Sequence, residues 1–125
     1  MGLLSGLLGL TSDVDVSEIR HDLEPILIDG EDITLAFKVV RDLMVFTDKR
    51  LILVDKQGLT GSKRQVTSVP YRAITGFSIE TAGRFDADSE MVVHISGQAP
   101  LKRELSRAAN ISGIQKALAA GVLSR

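Results

Sequence analysis

Two blocks of four consecutive apolar residues, 43–46 (LMVF) and 51–54 (LILV), flank the tetrad Thr47-Asp48-Lys49-Arg50. That spacing predicts an antiparallel hairpin turning at Asp48–Lys49. A hairpin with one wet face alternates apolar and polar residues, and this one does not, so both of its faces need cover. Placing Leu43, Val45, Leu51 and Leu53 on the core leaves Met44, Phe46, Ile52 and Val54 pointing outward. A reversed register still leaves one set of four outside. An apolar patch of that size is uncommon on a monomer, so the N-terminal helices or another subunit must cover it. Met44, Phe46, Ile52 and Val54 are therefore candidate oligomer-interface residues.

The flanking sequence supplies the rest of one domain, 1–125. Residues 1–30 read as a helical segment. Leu3, Leu4, Leu7, Leu8 and Leu10 share one side of a helical wheel. Three glycines make that helix poor on its own, so Leu4, Leu7 and Leu8 join the candidate interface: they need the chain's own core, a neighbour or a membrane to lie on. Asp15 and Glu18 form a capping-box pair ahead of a stripe of Val16, Ile19 and Leu23, with Pro25 bending the helix and Asp29–Gly30 ending it. From Ile33 the period changes to two. Strands are expected at 33–39, 43–47, 50–56, 63–69, 74–81, around 91–95 and at 101–105, making a β region over 33–106. Asn110 then caps a closing helix, 110–124, with its stripe at Ile111, Ile114, Leu118 and Val122. Seven antiparallel strands and one amphipathic helix predict a mainly β, α+β fold: a curled barrel or sandwich plugged at one open end.

Charge is segregated. Residues 1–35 hold eight acids and one base, and residues 36–76 hold eight bases and three acids, yet the whole chain is at −1. An acidic front and a basic middle attract one another within a chain or between copies, and suit a head-to-tail contact. The overall balance lacks the basic bias of a nucleic-acid binder. Cysteine is absent, which fits a reducing cytoplasm. No run approaches the ~20 apolar residues of a spanning helix. The opening MGLLSGLLGL lacks the basic start and cleavage site of a signal peptide.

The words VRDLMVFTDKRLILVDKQGLTG, SVPYRAITGFSIETAG and FDADSE resemble the bacterial pleckstrin-homology (PH) domain family over nearly the whole chain. The resemblance implies a bent seven-stranded antiparallel barrel, capped by a C-terminal helix, in a family that tends to form ring-shaped homo-oligomers. Eukaryotic PH domains that bind inositol phosphates use a basic pattern around their first two strands. The matching region here offers Lys38 and Arg41, with Asp42 beside them.

Little in the chain points to catalysis. His21 reads as solvated in an acidic helix and His94 as a surface or interface residue on a strand. GLTGSKR lacks the ending and spacing of a P-loop. Asp86, Asp88 and Glu90 alternate like the start of a calcium loop, but Met91 stands where that loop needs glycine. No cofactor or metal is expected. The candidate anion site is Lys49 and Arg50 at one hairpin tip with Lys63 and Arg64 beside the next loop, since phosphate needs converging donors. Tyr71 is the single tyrosine and tryptophan is absent, so the basic stretch has nothing on which to stack bases. The expectation is a non-enzymatic, cytoplasmic, self-assembling binding or scaffold module, with a protein partner possible. The alternative is a peripheral binder of anionic membrane surfaces, using the four basic residues and the N-terminal leucines as a foot.

Overall fold

The computed structural model describes residues 16–39, 42–57, 63–81, 89–105 and 110–124. The expected Leu4, Leu7 and Leu8 contact, the Asp15 cap, Arg41, Asp86 and Asp88 lie outside them. Helix α1, Val16–Leu23, buries Ile19 and Leu23 one turn apart. Pro25 sits in a 3-10 turn, Glu24–Ile26, where its missing N–H costs nothing. Gly30 then takes φ 82°, a left-handed conformation open to glycine, and swings the chain into the sheet.

Seven antiparallel strands follow, as expected: β1 Ile33–Val39, β2 Asp42–Thr47, β3 Arg50–Gln57, β4 Lys63–Pro70, β5 Ile74–Glu80, β6 Ser89–Ile95 and β7 Leu101–Leu105. They form two sheets, β1-β2-β3-β4 and β5-β6-β7, rather than one closed barrel. Pro70 ends β4 at a free edge and a 3-10 turn, Tyr71–Ala73, carries the chain to the second sheet. Arg103 of β7 ties the sheets together, donating from Nη2 to Asp55 Oδ2 of β3 at 2.7 Å. Helix α2, Ile111–Leu123, closes one end. Asn110 caps it as expected: its Oδ1 accepts from the Gly113 N–H at 2.8 Å.

The hairpin faces differ from the expected grouping. A two-residue turn pairs Phe46 with Leu51, Val45 with Ile52, Met44 with Leu53 and Leu43 with Val54. Cross-strand partners project to the same face, so even-numbered residues of β2 side with odd-numbered residues of β3. Met44, Phe46, Leu51 and Leu53 enter the inner core with Phe37, Met91, Ile114 and Leu118. The Phe37 and Phe46 rings meet edge to face, centroids 5.9 Å apart. Val45, Ile52 and Val54 form a second cluster under Ile19 and Leu23 of α1. Met44, Phe46, Ile52 and Val54 are thus at most 1% exposed inside one chain, and are not available as a contact between copies.

Candidate functional site

Three features occupy the helix-capped end of the sheets and the end opposite: a polar latch, a groove and a basic ribbon. The latch is built around Glu31, whose side chain is fully buried. Arg50 reaches it twice, Nε to Oε2 at 2.8 Å and Nη2 to Oε1 at 3.0 Å. The Thr47 hydroxyl donates to Oε2 at 2.7 Å and the Ile28 N–H to Oε1 at 3.2 Å. Burial alone would raise this carboxyl, but the hydrogen bonds from Arg50, Thr47 and Ile28 outweigh it, and its pKa falls from 4.5 to about 2. Arg50 also donates to Ser68 Oγ at 2.8 Å and to the Ile26 carbonyl at 2.6 Å. One guanidinium therefore joins β3, β4, the 3-10 turn after α1 and the entry to β1. Asp48 completes the corner, accepting at Oδ1 from the Asp32 N–H at 2.8 Å.

That geometry corrects the expected anion site. Arg50 is committed to Glu31 rather than turned to solvent. Lys49 stays half exposed, 3.9 Å from Asp48. Lys63 and Arg64 are exposed, but they pair with Gln57 and Lys56 at the opposite end of β3, whereas Arg50 pairs with Pro70. Seven strand residues put the two basic pairs about 20 Å apart. Successive hairpins turn at opposite ends of their shared strand, so the four bases do not converge. His21 and His94 are both exposed, as expected. Among the described residues, no group of three or more His, Cys, Asp and Glu side chains could hold a metal ion. None of the described helices is long and apolar enough to cross a membrane.

The groove was not anticipated. It lies between the β1–β2 corner and α2, with a volume of about 460 Å³. Leu35 and Phe46 line it from the strands and Ala117, Ala120 and Gly121 from the helix, beside the polar side chains of Thr34, Thr47, Asp48, Lys116 and Ser124. Tyr71 is also in its lining, with its hydroxyl already donating to the Thr47 carbonyl at 2.6 Å. Burial and the neighbouring Asp48 and Glu31 charges push that phenol up to about 12. A Cβ on Gly121 would overlap the Tyr71 ring, so glycine is what lets the ring lie against α2. The helical spacing of Ala117, Ala120 and Gly121 was readable. Which strands they would face was not.

The basic ribbon is the far half of β3–β4. Lys63, Arg64, Gln65 and Val66 are all exposed, so both faces of this edge strand are open there. Acidic side chains gather elsewhere: Glu18, Asp22, Glu24 and Asp29 are exposed on α1 and in the turns that follow it.

Known proteins share this architecture and much of the sequence. The uncharacterized protein YjqA of Bacillus subtilis is 52% identical over 122 residues, covering 96% of this chain and 98% of its own. The uncharacterized protein YozO of the same organism is 31% identical, covering 77% and 82%. The crystal structure of a pleckstrin homology domain from Shewanella amazonensis superposes with a TM-score of 0.85 at 51% identity, covering 96% of this chain and 98% of that one. A protein with a pleckstrin-homology domain from Shewanella loihica gives 0.79 at 50% identity, covering 89% and 96%. The bacterial PH domain family matches residues 2–122. With the strand order, the capping helix and a match over almost the full length in agreement, this chain belongs to the bacterial PH domain family.

Proposed function

We propose that the chain is a non-catalytic, self-assembling binding module whose copies meet head to tail, the acidic α1 region of one against the basic β3–β4 ribbon of the next. The observation that carries this reading is the separation of charge. Exposed Glu18, Asp22, Glu24 and Asp29 lie on α1 and its following turns, and exposed Lys63 and Arg64 lie at the end of β3–β4 away from the latch. A contact between two different patches on identical subunits is heterologous and closes into a ring when its rotation permits. The apolar hairpin, buried within the chain, does not supply that contact, so the assembly is electrostatic and sensitive to salt.

Native mass in low and high salt tests this. The expected result is a multiple of 13.5 kDa at low salt that shrinks as salt rises. Lys63→Glu with Arg64→Glu should yield monomers. Adding Glu18→Lys and Asp22→Lys to that chain should restore the assembly. A mass of one chain at every salt concentration overturns the reading. Salt-sensitive binding of the wild-type chain to anionic vesicles, without assembly, would favour the membrane-surface alternative instead.

A further inference from the structure

The two sheets have four edge strands, β1 and β4 in one and β5 and β7 in the other. β1 lies against β7, and α2 lies against β5. Among the described elements only β3 lies along β4. Lys63, Arg64, Gln65, Val66 and Ser68 are exposed on that strand. An uncovered edge presents a row of backbone N–H and C=O groups with which an extended chain can pair.

The groups that face outward follow from β3. The Arg50 and Lys56 N–H groups are both taken by β2 side chains, Thr47 Oγ1 at 2.9 Å and Asp42 Oδ1 at 2.8 Å, so both point toward β2. Direction alternates along a strand, so Leu51, Leu53 and Asp55 turn theirs toward β4, where they pair with Val69, Thr67 and Gln65. Arg64, Val66 and Ser68 therefore turn their N–H and C=O groups to the open edge. Pro70 shares their parity and has no N–H, as proline on an edge strand requires. The Arg64, Val66 and Ser68 side chains share one face: a cation, a β-branched apolar group and a hydroxyl. Lys63 adds a second cation, and β4 contains no acid. Bases on an edge hold off strands of like charge, and an acidic strand is the match. A second copy offers as its open edge another β4 with the same two bases, so a copy is not that match.

We propose that β4 takes an extended acidic segment of another protein as a fifth strand of the four-stranded sheet. In the antiparallel sense the segment reads Thr-x-Val-x-Glu-Glu, with its hydroxyl opposite Ser68, its valine opposite Val66 and its acids opposite Arg64 and Lys63. This needs no contact between copies and stands apart from the assembly reading, although both use Lys63 and Arg64.

The probe is a fluorescein-labelled Thr-Gln-Val-Gln-Glu-Glu peptide, titrated with the full chain at low salt and read by fluorescence polarisation. Saturable binding is expected. Methylating the valine nitrogen, which faces β4, should weaken binding at least about tenfold, because the pair of hydrogen bonds exchanged with Val66 is broken. Methylating the next glutamine nitrogen, which faces solvent, should leave it nearly unchanged. Lysines in place of the two glutamates should abolish binding, as should Lys63→Glu with Arg64→Glu in the protein. No saturable binding overturns the inference, and so does undiminished binding of the lysine peptide. Equal weakening by the two methylations also overturns it, since the contact would then be one of charge alone. Native mass recorded alongside separates the two readings. A one-chain mass with peptide binding removes the assembly reading alone, and an assembly that leaves the peptide free removes the edge reading alone.

Discussion

Glu31 shows how much a single side chain can hold. A buried carboxylate is costly unless its charge and lone pairs are met, and here Arg50, Thr47 and the Ile28 N–H meet them. Its folded-state pKa of about 2 lies below the ordinary 4.5. A depressed carboxyl contributes stability that is fully present above 4.5 and is lost as pH falls toward 2, about 3 kcal/mol in all. The urea midpoint of the wild type should therefore drop steeply between pH 4.5 and pH 2.5. Glu31→Gln should flatten that dependence and cost about 3–5 kcal/mol at pH 7, since it leaves the Arg50 charge without its partner. An unchanged slope in that variant would assign the acid sensitivity to other carboxyls. In the sequence Glu31 is one acid among eight in the first 35 residues. Nothing local marks it as the buried one, because its partner is 19 residues away and reaches it only through the fold.

At the scale of elements, strand periods, the Asn110 cap and the closing helix were legible, because each is set by residues within a few positions of one another. The pairing parity of β2 and β3 was also in the sequence: a turn at Asp48–Lys49 makes Phe46 and Leu51 partners. Grouping Leu51 with Leu43 overlooked that constraint and gave an exposed face that the fold does not have. The consequence is testable. Phe46→Glu puts a charge into the inner core and Ile52→Glu puts one under α1, where each wild-type side chain is at most 1% exposed. Both variants should lose at least about 3 kcal/mol of folding stability, combining lost apolar burial with an unpaired buried charge. Circular dichroism melts would show it. A folded variant of native stability but lower native mass would return these positions to the subunit contact.

The whole molecule is where sequence reasoning reached least far. Charge segregation could be counted, but its meaning depended on which ends of the sheet the charges reached. Lys63 and Arg64 belong to the far end because β3 runs away from Arg50, so a cluster that is compact along the chain becomes two sites in space. The groove needs still more information. It is made by the β1–β2 corner, by α2 some 70 residues later and by Tyr71, none of which predicts the others.

Covering Val45, Ile52 and Val54 with α1 has a consequence for solubility. The β3 run 50–54, Arg-Leu-Ile-Leu-Val, is rich in strand-forming residues and lacks proline, the composition of segments that stack into fibrils. On one side that run is sealed by the inner core. On the other, Ile19 and Leu23 of a helix of only eight residues screen it. Unseating the helix with Ile19→Asp should expose the strand face while the inner core stays packed. Such a chain should raise thioflavin fluorescence during incubation at a concentration where the wild type stays clear. On this account the short helix is the guard that keeps a fibril-prone strand inside a folded protein.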